Sequence, residues 1–393
     1  MKSRTRKKIC VVTGSRAEYG LLRPLMTKIQ KSGQFELRII ATSMHLSHEF
    51  GFTYREIEKD GFKIHDKVDI LLNSDSSSAV SKSIGLGCIG LSESFERLQP
   101  DLVVLLGDRF ETFAAATAAH VARIPIAHVH GGELTEGAFD DAFRHAITKM
   151  SALHFVSAEA YRRRVIQLGE QPRRVYNVGA IGLDNIRDLT LLSKAALEKA
   201  LDLRFAKRNI LVTFHPATAI RKSARKQCEE LLTALSGLDD TLVLFTKANA
   251  DTEGRLINAM IEKFVRKSGP SARVFSSLGQ LRYLSLMQYI DGVVGNSSSG
   301  IIEAPSFHIG TINIGHRQDG RIKAVSVIDC APKAKSIRSA LDMLLDAAFR
   351  RRIKRCKNPY GDGHSSQRIM SVLEKTDFNS IRTKHFFDLP TSR

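Results

Sequence analysis

Short runs of consecutive apolar residues alternate along the chain with longer stretches in which apolar positions recur every three or four residues. Continuous short runs suit strands covered on both faces, and the longer spacing suits amphipathic helices. The alternation therefore predicts parallel sheets built from βα units. The first run, Ile9–Thr13, leads into a Gly14-Ser15-Arg16 turn and a helix carrying Leu21, Leu22, Leu25 and Ile29. Phe35–Thr42, Leu102–Leu106, Ile124–His130, His154–Val156 and Val175–Val178 extend the series. A second series begins at Asn209–Phe214 and resumes at Thr241–Thr246, Arg273–Phe275, Gly292–Val294 and Gly310–Ile314. Leu189–Phe205 reads as a helical connector, and Ser366–Glu374 as a terminal helix able to pack across either half. With 393 residues, more than one core usually serves, the expectation is an α/β chain of two domains, 1–185 and 190–365, followed by a tail at 366–393. Two such sheets facing each other leave a cleft at the carboxyl ends of their strands, where open α/β sheets take ligands.

Polar residues accumulate at those strand ends. Gly14-Ser15-Arg16-Ala17-Glu18-Tyr19-Gly20 follows the first strand; free N–H groups at a helix start attract phosphate, but the run lacks GxGxxG and reads equally as a structural turn. Gly107-Asp108-Arg109-Phe110-Glu111 places three charges at the mouth of a buried strand, an arrangement that is costly unless they are paired or used. In His128-Val129-His130-Gly131-Gly132-Glu133 the strand period would point both histidines the same way. HxH also has metal-ligand spacing, but no Cys/His cluster completes it, so no metal is expected. Asp140 or Asp141 would cap a helix with Phe143, Ile147 and Met150 on its buried stripe, and Asp140/Arg144 and Asp141/His145 lie four apart. In the second half His215-Pro216 ends a strand. There Gly295-Asn296-Ser297-Ser298-Ser299-Gly300 makes a phosphate cradle without a Walker lysine, and Glu303, one turn into the next helix, could accept from a ribose diol. Arg317 and Arg321 could neutralise phosphate charge.

Composition narrows the classes. The net charge of +18 raises nucleic acid as a partner, yet the densest basic clusters are Lys2–Lys8 and Arg350–Lys357, without zinc-finger spacing or an aromatic RNA-binding signature. A basic solvated surface that steers an anionic substrate is the preferred reading, with no nucleic-acid partner. No apolar run is long enough to cross a bilayer, Ile9–Thr13 is too short for a signal-peptide core, and five dispersed cysteines suit reduced thiols. A cytoplasmic protein without a membrane partner is expected.

Assembled, these motifs resemble the UDP-N-acetylglucosamine 2-epimerase family, particularly its UDP-hydrolysing branch. The resemblance is carried by GSRAEYGLL from Gly14, GDRFE from Gly107, HVHGGE from His128, the helix Asp140–Met150, Phe214-His215-Pro216, GNSSSG from Gly295, Gly315-His316-Arg317-Gln318 and Asn358–Gly363. It implies a glycosyltransferase-B-like fold of two Rossmann-like domains, the terminal helix returning to the first. It also implies anti elimination of UDP to a 2-acetamidoglycal followed by syn hydration, with no cofactor. By family position Asp108, Glu133, Asp140 and His145 resemble the acid–base and sugar-side set. Arg16, Arg109, His215, Ser297, Ser298 and Arg317 resemble the diphosphate set, and Asn249 and Glu303 the nucleoside side. Arg144, Ser299 and Gly300 complete the expected substrate contacts. His130 stands where many members carry a glutamate implicated in catalysis, and bacterial hydrolysing members also show HxHGG. The implied substrate is UDP-N-acetylglucosamine, giving N-acetylmannosamine for sialic acids. The run Thr135–Asp141 is also similar to a subgroup acting on UDP-2,4-diacetamido-2,4,6-trideoxyglucose for legionaminic acid. A retaining glycosyltransferase shares the fold and is the rival reading. A homodimer or homotetramer is implied.

Overall fold

The computed structural model describes residues 6–72, 74, 76–134, 139–216, 224–248 and 254–390. Contacts divide the chain into two units, the first made of Met1–Glu133, Phe139–Asp188 and Tyr360–Arg393, the second chiefly of Leu189–Pro359. Residues 360–365, placed with the second domain on sequence, group with the first unit.

The first unit holds seven strands: β1 (Lys7–Thr13), β2 (Phe35–Thr42), β3 (Asp66–Val68), β4 (Leu102–Leu106), β5 (Ile126–Val129), β6 (Leu153–Val156) and β7 (Val175–Asn177). They pair in parallel in the order β3-β2-β1-β4-β5-β6-β7. The second unit holds β8 (Arg208–Thr213), β9 (Thr241–Thr246), β10 (Ala272–Phe275), β11 (Gly292–Gly295), β12 (Gly310–Ile314) and β13 (Val327–Cys330), again parallel, in the order β10-β9-β8-β11-β12-β13. Each sheet thus contains the 3-2-1-4-5-6 order of a Rossmann-like domain.

Alternation along the central strands explains why both faces are covered. Ile9 and Val11 of β1 and Leu102, Val104 and Leu106 of β4 enter one core, while Cys10, Val12, Val103 and Leu105 enter the other. The helix Arg16–Lys31 brings Leu22, Leu25 and Ile29 to the first of these cores, and the helix Ser365–Lys375 brings Ile369, Met370 and Leu373 to the same one. In the second unit Ile210, Val212 and Val294 face one core, and Leu211 and Val293 the other. Where the sequence suggested a connector over Leu189–Phe205, only Lys194–Leu201 is helical, closed by Asp202 at φ 49°. Among the described residues no helix is long and apolar enough to cross a membrane.

Strand order reverses between β1 and β4 in the first sheet and between β8 and β11 in the second. The crevice outside the carboxyl ends of such strands is the ligand position of open α/β sheets. The polar motifs sit there: Gly14–Arg16 after β1, Gly107–Glu111 after β4, Phe214–Pro216 after β8 and Asn296–Gly300 after β11.

Candidate active site

In the first unit, Ser15 caps the helix Arg16–Lys31 by accepting from Glu18 N, and Glu18 reaches back to accept from Gly14 N at 2.6 Å. This is close to a capping box, but the Glu18 carboxyl is buried, and burial, reinforced by Glu111, pushes its pKa up to about 8. Glu111 is also buried and takes the Arg109 Nε–H at 2.5 Å, while Arg109 Nη2 lies 3.4 Å from Met44 Sδ. Burial disfavours the Arg109 cation, yet Glu111, Glu18 and Asp140 outweigh it and raise its pKa above the usual value. Arg16 lies half exposed at the helix start, 3.0 Å from Glu56 Oε2.

Asp108 accepts from Arg144 Nη2, and Arg144 Nη1 donates to His130 O at 3.1 Å. Arg144 is almost fully buried, so this helical residue spans from β5's end to β4's end instead of facing solvent. The helix Asp140–Met150 is capped by Phe139 without a side-chain bond; Asp140 and Asp141 lie inside its first turn, where the dipole favours carboxylates. That corrects the expectation of an aspartate cap. Ile147 is buried, whereas Phe143 and Met150 are only partly covered. Burial and the nearby Asp108 raise the Asp140 pKa to about 6. His145 Nε2 lies 3.5 Å from Asp141 Oδ2.

The expectation that His128 and His130 point the same way from one strand does not apply, because only His128 lies in the strand. β5 ends at Val129, and His130 turns off it with φ 66°. Buried His128 bonds Gly107 O at 2.8 Å through Nε2 and Thr148 Oγ1 at 3.1 Å through Nδ1. The carbonyl needs a donor, so Nε2 carries the proton; burial holds the ring neutral, with its pKa lowered to about 3. His128 is a strut fixing Gly107. His130 Nε2 accepts from Ile181 N at 3.3 Å, so its Nδ1 carries the proton and donates to Glu133 Oε1 at 2.8 Å. Glu133, itself buried, accepts from Ser157 Oγ at 2.6 Å as well.

In the second unit Gly295 has φ 139°, and a Cβ there would lie 1.9 Å from Thr213 O. Only glycine lets β11 turn beside β8 in this way. Buried Asn296 then clamps His215 through both backbone groups, accepting from its N and donating to its O at 2.8 Å each. Asn296 O accepts from Arg317 Nη1 at 3.0 Å and Gln318 Nε2 at 2.8 Å. Burial, with Arg317 nearby, lowers the His215 pKa to about 4, leaving a neutral ring near pH 7. Ser297 Oγ accepts from Ser299 N at 3.4 Å, Ser298 precedes the short helix Ser299–Ile302, and Tyr283 donates to Ser299 Oγ at 2.6 Å. Gly300 packs against Thr311, whose Cγ2 would be 2.6 Å from an added Cβ. Glu303 ends that helix and begins the 3-10 turn Ala304–Phe307, so it is not a turn inside a helix as expected. Asn249 and the run 135–138 lie outside the described residues. Among the described residues no group of three or more His, Cys, Asp or Glu side chains could hold a metal ion.

Residues 27–374 match the family model described as UDP-N-acetylglucosamine 2-epimerase. The chain belongs to the UDP-N-acetylglucosamine 2-epimerase family. Among curated epimerase relatives, the Campylobacter jejuni protein named GDP/UDP-N,N'-diacetylbacillosamine 2-epimerase (hydrolyzing) is 43% identical, covering 98% of this chain and all of its own. The Escherichia coli polysialic acid biosynthesis protein P7 is 38% identical, covering 98% of both chains. The Legionella pneumophila UDP-N,N'-diacetylbacillosamine 2-epimerase (hydrolyzing) is 35% identical, over 95% of this chain and 97% of its own. The fold is that of the Neisseria meningitidis UDP-GlcNAc 2-epimerase solved with UDP-GlcNAc, with a TM-score of 0.74 at 19% identity over 94% of this chain and 100% of that one. A Rickettsia africae glycosyltransferase superposes with a TM-score of 0.55 at 12% identity, covering 96% of this chain and 99% of its own, consistent with the glycosyltransferase-B-like class.

At the first switch point of this epimerase-family chain Asp108, Arg144, His130 and Glu133 form one linked set, and Arg109 pairs with Glu111. Asp140 feels the charges of Asp108 and Arg109, and Arg16 pairs outward with Glu56. At the second, His215, Arg317 and Gln318 bond Asn296, with Ser297, Ser298 and Ser299 next to it in the chain. Sequence reasoning passed over Glu18, Glu111, Asn296 and Gln318 as site residues, although all four lie in the motifs it singled out. Their signal was a polar residue inside a motif that follows a buried strand.

Proposed function

We propose that this chain is a hydrolysing 2-epimerase of a UDP-linked 2-acetamido sugar, with UDP-2,4-diacetamido-2,4,6-trideoxyglucose as the first substrate. The observation that carries the reading is full-length identity of 43% and 35% to two relatives named for that hydrolysing reaction, against 28% over 85% of this chain to the Neisseria meningitidis UDP-N-acetylglucosamine 2-epimerase. UDP-N-acetylglucosamine is the second reading, favoured by the 38% identity to the polysialic acid protein, and it was the first choice on sequence. A glycosyltransferase reading is supported only by fold.

In the proposed reaction a base removes the C2 proton, its electron pair forms the C1–C2 double bond, and the C1–O bond breaks to release UDP. Water then adds syn, its oxygen to C1 and a proton to C2 on the same face as that oxygen, opposite to the face from which the first C2 proton left, giving a free sugar inverted at C2. Asp108, ion-paired with and oriented by Arg144, serves as the base for the weakly acidic C2 proton. Asp140, with a pKa raised to about 6, exchanges the proton of the added water near neutral pH. His130 works differently from a free base: its Nε2 lone pair is taken by Ile181 N–H, so it holds Glu133 on the sugar side instead. His145 completes the sugar-side set. Arg16, Arg109 and Arg317 stabilise charge developing on the departing diphosphate, helped by Ser297, Ser298, Ser299 and the backbone at Gly300; neutral His215 donates a hydrogen bond there. Glu303 and Asn249 are the proposed nucleoside contacts.

UDP release measured with each of the two nucleotide sugars at equal concentration tests the substrate order. At least tenfold higher kcat/KM with the diacetamido sugar is expected; the reverse ratio would move the chain to the N-acetylglucosamine branch, and release only in the presence of an acceptor would restore the glycosyltransferase.

A further inference from the structure

Glu111 is a buried charge that the mechanism does not use. Glu111, the last residue of the Gly107–Glu111 run, has 1% of its surface exposed. Its Oε1 takes the Arg109 Nε–H at 2.5 Å, and its Oε2 meets no hydrogen-bond partner among the described residues. A carboxylate oxygen buried without a partner is expensive, and a protein tolerates it where the group has a task. The opposite wall of the same spot is Gly14. A Cβ added there would lie 2.5 Å from Glu111 Cγ and 2.6 Å from Glu111 Oε1, so the turn after β1 is closed down directly on this carboxyl. Glu18, whose own carboxyl holds Gly14 N, is close enough to feel Glu111, and burial together with Glu111 raises its pKa to about 8. Glu111 is the side chain that bonds Arg109 there, and Asp140 acts on Arg109 only through its charge.

We infer that Glu111 is a positioning residue: by gripping Nε and bracing against Gly14, it fixes the plane of the Arg109 guanidinium, with one Nη2 hydrogen on Met44 Sδ, and leaves N–H groups of Nη1 and Nη2 to a diphosphate at the β1/β4 switch point. A guanidinium recognises phosphate through a planar fork, and the fork is useful only if its orientation is set beforehand. Glu111 supplies that orientation without touching the ligand. Gly14 is a glycine for the same reason, since any side chain there pushes the carboxyl away from Arg109.

The inference rests on the proposed UDP-sugar reading, and the test is arranged so that the two fail separately. UDP affinity is measured by calorimetry on the full chain for wild type, Glu111→Ala, Arg109→Ala and the double variant, with kcat/KM taken in parallel. Glu111→Ala should weaken UDP binding and lower kcat/KM, the latter by about a hundredfold, as expected for a displaced binding group. The double variant should be no worse than Arg109→Ala alone, because Glu111 acts through Arg109. Glu111→Gln, which keeps an oxygen for the Nε–H, should recover most of the loss, and Gly14→Ala should reproduce it. If Glu111→Ala does not fold, the cycle is run with Glu111→Gln, whose smaller loss should vanish in the Arg109→Ala background. Wild type that fails to bind UDP would overturn the functional reading. Wild type that binds UDP, together with independent losses in the cycle or an unchanged Glu111→Ala, would overturn this inference alone.

Discussion

At the switch point of the first unit the strand ends carry ionisable groups: Glu18, Asp108, Arg109, Glu111, Glu133, Asp140 and Arg144, several of them buried. At the same topological position in the second unit the groups close to the backbone are amides and hydroxyls, with Asn296, Gln318, Ser297 and Ser299 around the neutral ring of His215. Two sheets of one topology have thus been given different chemistry. Mutually perturbed carboxyls suit moving protons near neutral pH, whereas neutral donors fixed by backbone clamps suit holding an anion without competing for its protons. Fold determines where the crevice lies, and the side chains decide what it can do.

That contrast can be broken from either side. The largest effect is expected in the first unit: Asp108→Asn should lower kcat by about 10²–10⁴-fold while leaving UDP affinity near wild type, as for loss of a general base. Calorimetry beside steady-state kinetics checks both halves, and wild-type turnover would remove Asp108 from the acid–base set. The converse belongs to the second unit. Arg317→Ala should weaken UDP binding by about 2 kcal/mol, the scale of a hydrogen bond to a charged group, with kcat changed far less. Unchanged UDP affinity would count against its phosphate role.

A smaller effect should appear in the pH profile. Asp140 is raised by burial and by Asp108 to about 6, so its acid form persists to higher pH than an ordinary aspartate. If it must accept a proton, kcat/KM rises with pH through about 6, and Asp140→Asn abolishes that limb. A limb that survives the substitution belongs to another group. The smallest change is expected at Arg16. Its pair with Glu56 is half exposed, so Arg16→Ala should alter stability by less than about 1 kcal/mol in urea unfolding. A larger loss would mean that Arg16 braces the turn after β1.

Much of this was legible in the chain. β2, β4, β9 and β12 have the ends predicted for them; in β4 a continuous Val and Leu run leaves little choice in a doubly covered sheet. β3 and β13 were missed: both are short edge strands, Asp-Lys-Val and Val-Ile-Asp-Cys, with little apolar surface to announce them. The site motifs were visible as polar clusters at strand ends, yet their pairings were not. Asp140 and Arg144 lie four apart and read as sugar-side and substrate contacts, but the sequence does not show that Arg144 is buried and grips Asp108, which only the fold brings together. The strand rule failed at His130 because β5 ends one residue earlier, and a left-handed residue no longer follows the pleat.

The central claim is that the chain releases UDP and returns a free sugar inverted at C2. A proton NMR time course in deuterated buffer, with the diacetamido nucleotide sugar and UDP-N-acetylglucosamine supplied separately, tests it most directly. The account predicts UDP together with a free manno-configured sugar carrying deuterium at C2, formed faster from the diacetamido substrate. Release of sugar with its C2 proton and configuration retained, or no reaction with either compound, would contradict it.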